Sequence, residues 1–236
     1  MRNCSIVSAL ALAAVLTLSS TAFAQTAGQS GTVKSQTAAS TPDLSGVWQV
    51  REFQPKIVPN GDPPFQPWAA AKFKTADITK NDPNLGCLPH GLPRIMYVPL
   101  PMEIFHVPGR VLIFQEALHQ VRQIYTDGRQ HPKDLDLSWT GHSIGRWEGD
   151  TLVVDTIGMN DKTWLDHVGL PHSDALHVVE RIRRVDHDTL QDDFTIDDSK
   201  AYTKPLTAQQ VYKLKPGWEI QEYVCEENNR YKYEPQ

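Results

Sequence analysis

Cysteine is scarce in this chain: three in 236 residues, at positions 4, 87 and 225. Basic clusters are scarcer, with Arg181, Arg183 and Arg184 the densest group in a chain of formal net charge −5. Without a basic stripe there is nothing to neutralise a row of phosphates, which excludes nucleic acid as a partner. No apolar run reaches the roughly 20 residues of a membrane-spanning helix, so no stable membrane insertion is expected. No glycine-rich dinucleotide pattern or phosphate loop follows a strand-like run, and no cofactor is implied. Zinc sites built from one segment carry closely spaced His or Cys pairs. The nine histidines include no His-x-His and no His-x-x-x-His, so no metal is expected either.

What is present begins with an export signal. Arg2 gives residues 1–24 a positive start, Ser8 to Leu18 an apolar stretch, and Ala22-Phe23-Ala24 a small-x-small cleavage site. The mature protein is therefore expected to be exported, periplasmic or secreted. Cleavage leaves 236 − 24 = 212 residues and two cysteines, Cys87 and Cys225. An even pair in an oxidising compartment predicts one disulfide, with two buried free thiols as the alternative. Residues 25–42 are Gln, Ser, Thr, Ala and Gly with few large apolar groups. They bury too little to offset the entropy of ordering and read as a disordered linker. Residues 43–236 fit a single domain.

That domain opens on a short strand, Asp43 to Val50, and passes through Pro-rich, irregular stretches at 54–67 and 81–101. Between them Pro67 and three alanines predict a short helix through Lys74. From Met102 onward, strand-like runs lie close together, near 102–107, 110–117, 119–126, 142–148, 151–157, 176–185, 189–196, 206–214 and 218–226. Turn residues separate them at Pro108-Gly109, Asp127-Gly128, Glu148-Gly149-Asp150, His187-Asp188 and Pro216-Gly217. The fold class is mainly β: an antiparallel meander closed as a β-barrel, with one short helix and long Pro-rich loops.

Gly46-Val47-Trp48, at the first strand, resembles the Gly-x-Trp start of lipocalins and related calycin barrels. That resemblance implies an up-and-down barrel holding a small, mostly apolar ligand in its mouth; the long 54–101 insertion departs from the compact lipocalin pattern. Gly149-Asp150-Thr151-Leu152-Val153-Val154-Asp155-Thr156, with the loop after it, is similar to a group of exported bacterial proteins of unassigned activity.

Two features point to a site. The first is parity: strand residues two apart share a face. Glu180 falls in phase with Leu176, Val178 and Ile182; Asp192 with Leu190, Phe194 and Ile196; Glu222 with Trp218, Ile220 and Val224. Glu103 and Asp155 fall in phase with apolar neighbours too, although the opposite face of 151–157 is equally apolar. A carboxylate on an inward face needs a partner or keeps its proton. Arg94, Arg122, Arg146, Arg181, Arg183 and the histidines are the candidate partners.

The second is the loop Met159 to Asp174, rich in Asn, Lys, Trp, His, Ser and Asp. Polar groups concentrated on a loop of a rigid scaffold mark binding and chemistry. No Gly-x-Ser-x-Gly pattern surrounds Ser173, so a nucleophilic serine there is not expected. His172, Asp166 and Glu180 are the candidate catalytic residues. Trp164, Asp161, Lys162, His90, Arg94 and Glu222 are the candidate substrate-binding residues. They describe a cofactor-independent acid–base enzyme, an isomerase, lyase or hydrolase, on a partly apolar small molecule. The alternative is a non-catalytic, lipocalin-type ligand-binding protein.

Overall fold

The computed structural model describes residues 42–58 and 61–228; the export signal expected over 1–24 and nearly all of the linker expected over 25–42 lie outside the described residues. Nine strands follow in chain order: β1 (Gly46–Val50), β2 (Met102–Val107), β3 (Arg110–Gln115), β4 (Val121–Tyr125), β5 (His142–Glu148), β6 (Thr151–Ile157), β7 (His177–Asp186), β8 (Thr189–Asp197) and β9 (Leu206–Leu214). Each pairs with the next and β9 returns to β1, so the sheet closes as a barrel. Closure leaves no unpaired edge. The helix α1 (Pro67–Lys74) forms where Pro67 and the alanines place it, and α2 (Cys225–Asn228) is a single turn.

A ring of nine strands cannot alternate direction all the way round, because an odd count forces one neighbouring pair to run parallel. That pair is β4 and β5, matched at Ile124–Ser143 and Tyr125–Ile144. The other interfaces are antiparallel. The crossover 126–141 returns the chain along the barrel and so interrupts the expected meander once. At Gly145 a Cβ would stand 2.8 Å from a methyl of Ile124, so glycine permits the close approach of these two strands.

Strand directions gather the connections 51–101, 116–120, 158–176 and 198–205 at one end, leaving two-residue turns at the other. The long connections interlock. Phe65 bridges to Tyr202, the Tyr202 hydroxyl donates to the Pro171 carbonyl, and the Ser173 N–H donates to Asp198 Oδ2 at 2.6 Å. The 3₁₀ turn Arg94–Tyr97 is wholly buried and fills the barrel from this end. Tyr212 donates to the Met96 carbonyl at 2.8 Å, and the Tyr97 ring lies 5.6 Å from that of Phe194. Trp48, Tyr97, Tyr212 and Phe194 are among the largest fully buried side chains. A fully buried apolar side chain such as Phe194 contributes on the order of 1.5–3 kcal/mol.

The stretch 218–226 is not a strand, contrary to expectation. It is irregular to Val224 and then turns into α2. The β9–β1 pairing has already closed the ring, so a tenth strand has no edge to join. Instead the chain runs along the outer wall. The Lys215 N–H bonds the Val47 carbonyl, Gln221 N–H donates to Glu116 Oε2 at 2.9 Å, and Tyr223 N–H donates to His119 Nε2 at 3.1 Å. It ends at the loop-bearing end, where Cys225 is disulfide-bonded to Cys87.

Candidate functional site

Parity places Glu180 correctly. On β7 the buried residues are Val178, Glu180 and Ile182, and Glu180 has no exposed surface. Its partner is Arg122 of β4, which donates from Nη1 to Oε1 at 2.7 Å and from Nη2 to Oε2. Arg122 also reaches Ser143 and Thr156, at 3.2 and 3.1 Å from Nη2, and those hydroxyls bond each other at 2.9 Å.

Asp192 of β8 is inward as well, and fully buried. Among the described residues no N–H or O–H donor reaches either of its oxygens, and its neighbour is the Glu180 carboxylate. Burial first, then the charge of Glu180, push its pKa well above the carboxylate range against the pull of Arg122. Asp192 is therefore held toward its protonated form beside the Glu180 carboxylate.

Three other carboxylates need correction. On β2 the buried residues are Met102 and Ile104, which leaves Glu103 on the other face beside exposed Phe105. On β6 register settles the ambiguity: Val154 lies opposite Glu180 and Thr156 opposite Val178, so these point inward and Asp155 points outward. Glu222 lies exposed on the irregular C-terminal segment, because there is no strand to turn it inward.

At the loop-bearing end, three of the expected binding residues do meet. Asp161, Lys162 and Trp164 line a cavity of about 280 Å³ together with Lys72, Asn81, Pro83, Leu88 and Thr163. Trp164 is buried, and the guanidinium of Arg94 stands 5.8 Å from its ring. Arg94 forms a two-pronged pair with Asp82, at 2.8 and 2.7 Å, and contacts His167 Nδ1 at 3.4 Å. His90 lies beside His167, ring centres 6.5 Å apart. The disulfide at Cys87 thus belongs to the same end as the loop. Burial, and then Arg94, push the His167 pKa down to about 3. His90 is held well below the imidazole range by the same two causes, with His167 adding to them.

His172 and Asp166 sit inside the loop rather than on its surface. The His172 Nδ1–H donates to the Ser173 carbonyl at 3.0 Å, and Nε2 accepts from the Thr163 hydroxyl at 2.9 Å. Burial lowers its pKa, so the ring is neutral. Asp166 Oδ1 accepts the Val168 and Leu170 N–H groups, both at 3.0 Å, and burial raises its pKa. Gly91 adjoins this lock: its φ is +70°, and a Cβ would stand 2.6 Å from Thr163 Oγ1. Glu180 is apart from both, in the barrel interior with Arg122.

Sequence reasoning missed Asp82, Thr163 and His167, since no spacing rule ties Asp82 to Arg94 across 12 positions. It also passed over Gly141-His142-Ser143-Ile144-Gly145, which has the outline of a hydrolase nucleophile motif. Ser143 lies inside the barrel on a strand, bonded to Arg122 and Thr156, without the strand-to-helix turn such a nucleophile needs. Among the described residues no group of His, Cys, Asp and Glu is arranged to hold a metal ion. No helix among them is long and apolar enough to cross a membrane. Comparison with protein-family models finds none that matches the chain, and comparison with curated proteins finds no significant match.

Proposed function

We propose that this chain is an exported, small-molecule-binding β-barrel that works by acid–base chemistry with its own side chains and without a cofactor. The observation that carries the reading is the convergence of Asp161, Lys162 and Trp164 with Lys72 and Thr163 on one cavity. Lys72 and Lys162 offer ammonium groups to an anion, while Trp164, Pro83 and Leu88 offer apolar surface. The ligand that fits is small, partly apolar and carries an anionic group. His172 and Asp166 position the loop, and Glu180 holds the barrel. The disulfide supports export, since such bonds persist in oxidising compartments.

A second reading, non-catalytic binding of the lipocalin type, is favoured by one observation. The polar atoms of His172, and the charges of Glu180 and Arg94, are taken up by protein partners. The closed barrel and buried Trp48 accord with either.

The test is to incubate pure mature protein with cell extract and identify what stays bound by mass spectrometry. Lys72→Ala with Lys162→Ala should abolish retention with little change in melting temperature, because Lys162 is exposed and Lys72 only half-buried. Retention equal to the parent's would remove the cavity from the reading. Conversion of the retained molecule by the parent protein separates enzyme from binder.

A further inference from the structure

Four titratable side chains outside the cavity meet on the outer wall, at the root of the same loop. Asp155 and His177 flank the 158–176 loop on β6 and β7, and His142 opens β5. His131 lies on the crossover 126–141, which also touches the loop where the Asn160 N–H bonds the Ser138 carbonyl. Asp155 Oδ1 is 3.0 Å from His131 Nε2 and 3.1 Å from His177 Nε2. His131 Nδ1 faces His142 Nδ1 at 2.8 Å. Unlike His172, this group is partly open to solvent, with the Asp155 side chain 33% and that of His177 39% exposed.

The donor inventory fixes the protons. An ionised carboxylate only accepts, so His131 Nε2 carries the hydrogen that points at Asp155. A neutral His131 then has a bare Nδ1, so the hydrogen of the 2.8 Å bond belongs to His142 Nδ1. His142 Nε2 is left bare.

We propose that Asp155, His131 and His142 form a proton relay, with His142 Nε2 as a general base for a small molecule that meets it on the outer wall at the root of the loop, apart from the cavity. It rests on the reading above only for the acid–base chemistry; the relay rests on its own geometry. When His142 Nε2 takes a proton from an acidic C–H or O–H, the electron pair stays on the substrate atom. The His142 Nδ1 proton passes to His131 Nδ1, and the positive charge settles on His131 beside the Asp155 carboxylate. Returning the proton to another substrate atom is isomerisation; giving it to a leaving group is elimination. Neither needs a co-reactant.

The surroundings suit a base at neutral pH. His142 stacks on Tyr125 of β4 at 5.3 Å, and Arg129 of the crossover lies 3.9 Å over the other partner of that stack, Tyr125, while pairing with Asp127. Burial first, then His131 and Arg129, lower the His142 pKa and keep the ring unprotonated. Asp155 and His177 complete the groups around it. The motif Gly141-His142-Ser143-Ile144-Gly145 gains a different meaning here, with His142 rather than Ser143 turned outward.

Diethyl pyrocarbonate, which acylates bare imidazole nitrogens, tests this on the mature protein with peptide mass spectrometry as readout. Asp155→Asn and, separately, His131→Gln should slow acylation of His142 severalfold while leaving exposed His187 unchanged. Both variants should keep the parent's melting temperature. Unchanged acylation of His142 in both would overturn the relay, as would a stoichiometric transition metal on these side chains by elemental analysis. Ligand retention, measured on the same Asp155→Asn preparation, keeps the two proposals apart. Slowed acylation with retention kept supports both. Unchanged acylation with retention kept removes the relay alone. Slowed acylation in a protein that retains nothing supports the relay and removes the cavity reading.

Discussion

Replacing Glu180 by Gln keeps its shape and removes its charge, leaving Arg122 to find another counter-ion inside the barrel. Both partners of this pair are almost fully buried, at 3% and 0% side-chain exposure. Stranding one member of such a pair costs about 3–5 kcal/mol. For a domain of this size that is a drop of roughly 6–20 °C in melting temperature. Asp192 softens the loss in the single variant. With Glu180 neutral, it loses the like charge beside it and keeps Arg122, so it ionises and becomes the new counter-ion. The full cost is therefore expected in the double variant Glu180→Gln/Asp192→Asn, and a smaller one in Glu180→Gln alone. Asp192→Asn by itself should have the opposite effect at neutral and alkaline pH. Asp192 keeps its proton in the folded state, whereas in the unfolded chain it releases it near its ordinary value of 3.8. Stability then falls as pH rises above that value toward the raised folded-state pKa, and Asn removes the fall. The assay is denaturant unfolding followed by tryptophan fluorescence at several pH values. A double variant within about 1 kcal/mol of the parent, the scale of an exposed ion pair, would refute the reasoning about the pair. A single variant as unstable as the double would refute the part given to Asp192.

Two further outcomes are expected. His90, His167 and His172 are neutral in the fold with lowered pKa values, that of His167 down to about 3, whereas in the unfolded chain they take up protons near 6.5. Stability should thus decline as pH falls below 6.5 toward those folded values, and His167→Asn should make the decline shallower; melting curves between pH 7 and 4 that stay flat would contradict this. The Cys87–Cys225 bond closes a loop spanning 138 positions, for which the chain-entropy model gives about 5 kcal/mol. Denatured, unreduced mature protein should show almost no free thiol, and Cys225→Ser should melt well below the parent.

How much of this was legible in the sequence depended on the range of the interaction. Turn residues such as Glu148-Gly149-Asp150 and strand alternation are local, and they located all nine strands of the barrel. Glu180 was legible because Val178 and Ile182 leave one inward face. Asp155 was not, since both faces of β6 are apolar and only its register against β7 decides between them. The false strand at 218–226 failed for a topological reason, the ring being already closed by β9. Asp82 with Arg94, and His131 with Asp155, depend on loops that carry no periodicity, so their meeting was written in no spacing. The parallel β4–β5 pairing was illegible locally as well: it follows from the strand count.

That one parallel interface is the joint where the ring is thinnest in backbone bonding, paired only at Ile124–Ser143 and Tyr125–Ile144. Side chains rivet it from both sides. Inside, the Arg122 guanidinium leaves β4 and grips Ser143 on β5, Thr156 on β6 and Glu180 on β7. Outside, Tyr125 of β4 stacks on His142 of β5. Drawing the inner rivet would leave β4 and β5 held by that short pairing and the outer stack, so this joint is where the cylinder is expected to open first, into a curved sheet with two free edges.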